Sequence, residues 1–282
     1  MSFSVFVLVP VFNRLHHTKT MVECLRAQKT EARLVIVIIN DGSTDGTADY
    51  LAGQPDLVAL KGDGTLFWGG AMECGLQYAL PLCSTDDYIL FLNNDTYFAP
   101  GYVDELVRSS RENGDAAVGS MIHDADAQPP LVSIGARVDV NRIRVTDIID
   151  ELSAAERADP AAFYFPDALS GRGTLFPASV FDKYGTLMPK LLPHYFADYE
   201  LSMRFRRKGV RLVVSRDGFV VSPPVYGNST EGMSLRERLF SIRSSGNLRH
   251  TLTFFCLVGT PTQRVTAPLR LLVKAIWQGL RR

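Results

Sequence analysis

The sequence of 282 residues has no long hydrophobic run and no paired cysteines. No apolar stretch approaches the roughly 20 residues that a membrane-spanning helix requires. The four cysteines form no CxxC pair and show no zinc-like spacing, which favours reduced core thiols and a cytoplasmic protein over a disulfide framework. A basic leader is also absent, so we expect the apolar segment at the start to form a strand and not a signal peptide.

The distribution of charge is uneven although the net charge is zero. From Arg236 onward the chain carries nine lysine or arginine residues against one glutamate, a net charge of +8, while the preceding 235 residues carry −8. Residues 269–280 place leucine, valine and isoleucine at helical spacing among basic residues, a pattern typical of an interfacial helix on anionic lipid. The alternatives are a helix docked on the body of the protein and a homodimer through the apolar stripe. No nucleic acid is expected as a partner, because no RNA- or DNA-binding motif accompanies the charge.

Strand and helix patterns alternate along the first hundred residues. We expect strands at 5–9, 34–39, 57–60 and 88–92, with helices at 18–28, 47–52 and 70–80. The nearly continuous valine, isoleucine and leucine of 34–39 indicate burial on both faces, as in a parallel sheet covered by helices. The sequence therefore predicts an α/β fold with a Rossmann-like, mostly parallel central sheet flanked by helices.

The second half is less regular, and its strands are expected at 116–122, 131–138 and 142–148. Helices are expected at 177–184, 199–208 and 235–255, followed by the basic helical C-terminal extension.

Three polar turns follow predicted strands. The strand at 88–92 ends in Asn93, Asn94 and Asp95, and a carboxylate at this edge of a sheet suits a divalent cation on a diphosphate. The alternative is that Asp95 caps the helix that follows. The turns at 10–14 and 40–47 come after the first and second strands, although a tight turn before a capped helix also explains the second. Together, three turns converging at one sheet edge indicate a nucleotide site.

These ordered motifs resemble the family 2 glycosyltransferases with the GT-A fold, in particular bacterial rhamnosyltransferase-like members, over about residues 4–255. The resemblance implies that the first turn and the aspartate of the second hold the nucleoside, and that residues 62–72 line the donor pocket. It also places the DxD motif of the family on residues 93–95, with Asp95 as the ligand of Mg²⁺ or Mn²⁺. The donor-binding residues that it implies are Pro10, Phe12, Asn13, Arg14, Asp41, Gly64, Thr65, Trp68, Asn93, Asn94 and Asp95.

On the acceptor side, the resemblance assigns the general base to Asp198, at the start of a predicted helix. Glu200 is the alternative base, and Asp198 has the alternative role of helix N-cap. Gly173 matches a glycine-containing stretch of the family, and His194, four residues before Asp198, is expected near the acceptor. Trp68 stacks on a sugar face or belongs to the core.

Two departures from the family pattern affect the metal. Asn93 stands where the family has a first aspartate. The segment 220–224 contains no histidine, whereas many relatives use one there as a further ligand, which predicts weak metal binding or a water in that position. Arg243 and Asn247 are expected on the basic helix. There they either approach the phosphates of the donor or of a lipid diphosphate, or they belong to a solvated face of the helix.

The resemblance implies an inverting hexosyltransferase that moves rhamnose from dTDP-rhamnose to a hydroxyl of a glycan acceptor in bacterial surface polysaccharide or lipopolysaccharide assembly, and the expected acceptor is a glycan on a lipid carrier. Such an enzyme works in the cytoplasm, at the inner face of the membrane. A UDP-sugar-dependent transferase and a non-catalytic nucleotide-sugar-binding scaffold are the alternatives. A dinucleotide oxidoreductase is disfavoured because no GxGxxG follows the first strand.

The expected domains are 1–232, with a nucleotide-binding part at 1–100 and an acceptor-side part at 101–232, and the extension at 233–282.

Overall fold

The computed structural model describes residues 3–124, 126–127, 130–222 and 232–280, and of 272–280 it describes only the helical backbone. Its strands are β1 Ser4–Val11, β2 Arg33–Asn40, β3 Val58–Lys61, β4 Tyr88–Phe91, β5 Ala117–His123, β6 Leu131–Ser133, β7 Ala136–Asp139, β8 Arg144–Asp147, β9 Phe163–Tyr164, β10 Thr174–Pro177 and β11 Leu212–Val221. Its α-helices are α1 Leu15–Arg26, α2 Thr47–Ala52, α3 Phe67–Ala79, α4 Tyr102–Glu112, α5 Ala154–Ala158, α6 Ser179–Tyr184, α7 Ala197–Arg207, α8 Leu235–Phe240, α9 Leu248–Val258 and α10 Pro261–Leu280.

The central sheet is buried on both faces because its first strands are almost entirely apolar. In β1, Val7 and Val9 face the core formed with α1 and α4, while Leu8 faces the core formed with α3. Side chains alternate between faces along a strand, so an uninterrupted apolar sequence fills both cores at once. The expected sheet flanked by helices is confirmed.

Nine strands of the described residues form this sheet, in the order β3-β2-β1-β4-β10-β5-β11-β9, with β6 paired to β5. Strands β1 to β4 are mutually parallel, and β5 is parallel to β11. Between these two groups β10 runs antiparallel to both β4 and β5. The carboxyl ends of β1, β2 and β4 consequently meet at one edge, where the three polar turns lie.

Two elements expected from the sequence are divided in the structure. The expected strand at 131–138 is two strands, because Gly135, with a φ of 121°, turns the chain so that β6 pairs with β5 while β7 pairs with β8. The expected helix at 235–255 is α8 and α9, because Asn247 caps a new helix by accepting a hydrogen bond from the backbone of His250. Strand β10 was not expected from the sequence.

The C-terminal helices pack on the body of the protein. Phe254 of α9 stacks on Phe196, just before α7, with ring centroids 4.7 Å apart. The side chains of Gln263 and Arg270 both donate to the Oδ1 atom of Asn141 at 3.0 Å. Among the described residues, no helix combines the length and apolar character needed to cross a bilayer.

Candidate functional site

Two adjoining cavities open at the carboxyl edge of the sheet. The first, of about 430 Å³, is lined by the three polar turns and is called the donor cavity after the role expected of those turns from the sequence. The second, of about 460 Å³, is lined in part by residues 194–196 and 198–199 and is called the acceptor cavity, again after the expected role of His194 and Asp198. Trp68, Asn93, Arg172 and His194 line both. The shared wall places any two molecules bound in these cavities side by side.

The turn after β1 is held in an unusual conformation. Asn13 and Arg14 both have positive φ angles, 58° and 64°. Residues other than glycine rarely adopt positive φ angles, because their side chains clash with the backbone there. Here the backbone N–H of Asn13 donates to the hydroxyl of Ser43, and its side-chain oxygen accepts from the backbone of Thr44. These bonds join the first turn to the second and fix Arg14 at the cavity rim.

Asp41 organises the loop that closes the donor cavity. Its buried carboxylate accepts hydrogen bonds from the backbone N–H groups of Gly64, at 2.8 Å, and Phe67, at 3.1 Å. Phe67 has a positive φ of 53°, which the bond from its own N–H stabilises. Asp41 therefore lines the cavity and also shapes the segment 62–67.

The three polar residues of the turn that follows β4, Asn93, Asn94 and Asp95, have three different partners. The Oδ1 atom of Asn93 accepts a hydrogen bond from the indole N–H of Trp68 at 3.0 Å, and the amide of buried Asn94 donates to Thr18 in α1. Asp95 forms an ion pair with Arg14, with 2.7 Å between Oδ2 and Nη1. Asp95 does not cap the following helix, whose N-cap residue is Gly101.

Trp68 forms the partition between the cavities. Its ring packs edge-on against Phe91 in the core, and another face covers Gly171. A Cβ atom added to Gly171 would lie 2.0 Å from Cζ2 of Trp68. A glycine at 171 is therefore required for the tryptophan to occupy this position.

Asp198 lies in the first turn of α7 and lines the acceptor cavity. Its two oxygens accept from the backbone N–H groups of Gly171, at 2.8 Å, and Tyr199, at 2.9 Å. Burial raises the pKa of this carboxyl group, although the two backbone bonds act in the opposite direction. The N-cap residue of α7 is Phe196, so Asp198 is not the cap. A carboxylate of raised pKa beside a cavity is suited to accept a proton.

His194 is a neutral side chain at the junction of the cavities. Burial, with a smaller contribution from the positive charge of Arg243, lowers its pKa to about 4. The backbone N–H of Trp68 donates to its Nδ1 atom at 3.4 Å. The ring proton therefore resides on Nε2, where it can be donated to a substrate oxygen.

Three of the expected site residues line neither cavity. Thr65 bonds to Asp63, and Gly173, with a φ of 83°, packs against Tyr102 and Ser120 beneath the site. Glu200 is buried in an ion pair with Arg204, with 3.0 Å between Oε1 and Nε. The carboxylate of Glu200 is thus used in the structure of α7 and not at the cavity. The remaining expected residues, from Pro10 to Asp95 and at 194 and 198, line one cavity or both.

Sequence reasoning missed most of the acceptor cavity. Its walls include Ile122, Val132, Ser133, Ser170, Arg172, Tyr195, Phe196, Tyr199 and Ser245, which come from distant segments. Arg172 and the two tyrosines lie within a few residues of expected positions, so the sequence around Gly173 and Asp198 held a partial signal. Nothing local marks residues 122, 132 or 245.

The donor cavity offers few ligands for a divalent cation. Over the ranges that the structure describes, no group of three or more histidine, cysteine, aspartate or glutamate residues could hold a metal ion by itself. Asp95 supplies one carboxylate. Mg²⁺ commonly takes one or two protein carboxylates together with substrate phosphates. The residues therefore fit a metal only as a site that the phosphates of a ligand complete. The prediction of weak metal binding rests on the segment 220–224, which contains no histidine. Of that segment, Pro223 and Pro224 lie outside the described residues.

The family model described as Glycosyl transferase family 2 matches residues 6–137. These residues are similar to the glycosyltransferase family 2 domain. The match covers β1 to β6 and the first residues of β7, and with them all three polar turns. It ends before Asp198, so the acceptor cavity lies mostly outside it. No curated protein matches the sequence.

Solved structures share the fold at low sequence identity. A structure of GalNAc-T7 with UDP, GalNAc and Mn²⁺ is 14% identical, has a TM-score of 0.62, and is matched over 91% of this chain and 47% of its own. The structure of residues 1–349 of TarS from S. aureus is 14% identical, has a TM-score of 0.56, and is matched over 78% of this chain and 60% of its own. The longer TarS structure is also 14% identical, has a TM-score of 0.57, and is matched over 78% of this chain and 37% of its own. This chain thus spans between about a third and three fifths of the proteins it resembles. The likeness establishes the GT-A fold.

Proposed function

We propose that this protein is an inverting glycosyltransferase that moves a hexose from a nucleoside diphosphate to a hydroxyl of a glycan acceptor. The observation that carries the proposal is the pair of adjoining cavities. The donor cavity is lined by the three polar turns, which include Arg14 and Asp95, and the acceptor cavity contains Asp198. A donor and an acceptor bound there would meet at the wall formed by Trp68 and His194.

In the proposed reaction, the acceptor hydroxyl oxygen attacks the anomeric carbon and forms the new glycosidic bond. The bond from that carbon to the phosphate oxygen breaks, and its electron pair leaves with the nucleoside diphosphate. Asp198 takes the hydroxyl proton. Mg²⁺ or Mn²⁺ held by Asp95 and the phosphates would supply positive charge to the leaving group. The acceptor enters from the face opposite the diphosphate, which inverts the anomeric centre.

The proposed donor is dTDP-rhamnose, and the support for it is the resemblance of residues 62–72 to the rhamnosyltransferase-like segment. In the structure this segment is held by Asp41 and carries Trp68 into the wall of both cavities. A UDP-sugar is the second candidate, favoured by the UDP in the GalNAc-T7 structure. We further propose residues 1–232 as the catalytic domain, with nucleotide-binding and acceptor-side parts at 1–100 and 101–232, and 233–282 as its helical extension.

The proposed acceptor is a glycan on a lipid carrier at the cytoplasmic face of a membrane. Of the ten large apolar side chains that are exposed in the described part of the chain, five lie between residues 235 and 269, and these are called the C-terminal apolar residues: Leu235, Phe240, Ile242, Val265 and Leu269. Val265 is 81% exposed. Apolar side chains among basic residues suit an anionic lipid surface.

Two measurements test the proposal in sequence. Thermal unfolding is measured with dTDP, UDP, GDP or NAD⁺, each with Mg²⁺, Mn²⁺ or a chelator. A ligand at 100 times its dissociation constant adds about 2.7 kcal/mol to the free energy of unfolding, so a true donor nucleotide gives a clear shift. Transfer from dTDP-rhamnose or a UDP-sugar to a lipid-linked glycan is then assayed, and NMR of the product gives its anomeric configuration.

The outcomes separate the candidates. Stabilisation by dTDP or UDP together with an inverted product supports the proposal and identifies the donor. Nucleotide binding without transfer from any donor favours the scaffold alternative. Stabilisation by NAD⁺ alone, or by none of the nucleotides, contradicts the proposal.

A further inference from the structure

The segment between α8 and α9 reaches the donor cavity from the far end of the chain. Arg243 lines this cavity together with Phe12, from the turn after β1, and Phe67, at the start of α3. Its guanidinium carbon lies 5.4 Å from the ring centroid of Phe12 and 6.0 Å from that of Phe67. A guanidinium over aromatic rings is held by cation–π attraction.

The backbone around Arg243 is fixed by hydrogen bonds. The buried side chain of Asn247 donates to the carbonyl of Ser241 at 3.0 Å, and the Ser244 hydroxyl donates to the carbonyl of Arg238 at 2.6 Å. The hydroxyl of Tyr195 donates to the carbonyl of Arg243 itself at 3.4 Å. The segment is therefore a compact turn that presents Arg243 at the cavity, and not a loose connection.

The donor cavity is lined by more positively charged than negatively charged side chains. Three arginines line it, at positions 14, 172 and 243, against two carboxylates, Asp41 and Asp95. Asp41 accepts bonds from two backbone N–H groups, and Asp95 is paired with Arg14. The positive charge of Arg243 also reaches His194, where it contributes to the lowered pKa. A cavity with this balance favours a polyanion.

We propose that Arg243 binds the diphosphate of the donor, so that the C-terminal segment contributes a phosphate-binding side chain to a nucleotide site built mainly by residues between 10 and 95. The inference rests on the proposed function. A guanidinium presents paired N–H donors that match phosphate oxygens, and its charge strengthens these bonds. The same contact stabilises the negative charge that develops on the leaving diphosphate when the glycosidic bond of the donor breaks.

Calorimetric titration of the full chain separates phosphate from nucleoside recognition. The probes are dTDP and UDP, each compared with thymidine or uridine, and the variants are Arg243→Ala, Arg243→Lys and the charge-matched control Arg249→Ala, on the exposed face of α9. We expect Arg243→Ala to weaken binding of the diphosphate roughly tenfold or more, because a hydrogen bond to a charged group is lost. Nucleoside binding should stay unchanged, the lysine variant should fall in between, and Arg249→Ala should bind as the unaltered protein does.

Several outcomes would overturn the inference. A diphosphate affinity of Arg243→Ala within twofold of the unaltered protein would do so. An equal loss for nucleoside and diphosphate would show that Arg243 supports the aromatic wall and not the phosphates. If Arg243→Ala unfolds, Arg243→Lys decides the question, since it keeps the charge and loses only the paired donors. If the unaltered protein binds none of the nucleotides, the proposed function fails first, and this inference fails with it.

Discussion

The donor and acceptor cavities share a wall but are built in different ways. Most of the donor cavity comes from turns that directly follow β1, β2 and β4, so each contribution is a short continuous motif. Besides the shared Trp68 and Asn93, the acceptor cavity takes its walls from five separated places: residue 122, residues 132–133, residues 170–172, residues 194–196 with 198–199, and residue 245. The difference indicates that the donor cavity is a property of the sheet edge, whereas the acceptor cavity depends on how later segments pack over it.

The electrostatics of the two cavities also differ. Arg14 and Asp95 form a partly exposed ion pair in the donor cavity, with 44% of the arginine side chain accessible. In the acceptor cavity, burial raises the pKa values of Asp198, Tyr195 and Tyr199. We infer that the donor side is arranged for charge and the acceptor side for proton transfer.

Removing the carboxylate of the acceptor cavity should have the largest effect. Asp198→Asn should lower kcat by about 10²- to 10⁴-fold, the usual contribution of a general base. Binding of the donor nucleotide, measured by calorimetry, should be retained.

Glu200→Gln is the matched comparison on the same helix. It breaks the buried pair with Arg204 and should lower the melting temperature while kcat falls far less. The opposite ranking of kcat in the two variants would transfer the role of base to Glu200.

Asp95→Asn tests the charge of the donor cavity. We expect a loss of about 10²- to 10³-fold in kcat/KM, comparable to removal of one group that stabilises developing charge. The stabilisation that Mg²⁺ or Mn²⁺ adds to nucleotide binding should disappear, which thermal unfolding with and without chelator measures. An unchanged response to the chelator would remove Asp95 from the metal site.

Gly171→Ala should damage both cavities at once. The added methyl group cannot coexist with Trp68 in its present position, given the 2.0 Å approach. Displacement of a positioning group by about 1 Å can cost up to about 100-fold in rate, so kcat/KM should fall for donor and acceptor together. Gly53→Ala, where the nearest atom is 3.5 Å away, is the control. A loss confined to one substrate would contradict the role of Trp68 as a shared partition.

The pH dependence of kcat/KM should report the raised pKa of Asp198. The base acts only when deprotonated, so activity falls as the pH drops through that pKa, and the acidic limb should lie above the usual range of an aspartate. His194→Ala, whatever its rate, should keep this limb. A limb that vanishes in the His194 variant would assign the titration to the histidine.

Changes to Val265 and Leu269, two of the C-terminal apolar residues, should give the smallest effect, because neither residue lines a cavity. Val265→Ser combined with Leu269→Ser should reduce binding to vesicles of anionic lipid by several-fold, since exposed apolar side chains add to membrane affinity. Activity on a soluble acceptor should be unchanged. A shift in oligomeric state without a change in vesicle binding would favour the dimer instead.

The sequence by itself determined the central sheet and the place of the polar turns that line the donor cavity. Uninterrupted apolar strands predict burial on both faces, and the carboxyl ends of parallel strands share an edge, so turns distant in sequence were expected together. Residues such as Asn93 and Asp95 could be selected in this way. The antiparallel β10 could not, because a short strand of four residues takes its direction from its neighbours.

Only the tertiary structure decided which side chains complete the site. Asp198 and Glu200 are two residues apart in one helix, and the direction in which each carboxylate points separates them. Trp68 depends on the missing side chain of Gly171, more than 100 positions away. Arg243 reaches the cavity because α9 docks on Phe196 through Phe254. Contacts of this kind arise from long-range packing, which leaves no periodic or local pattern in the sequence.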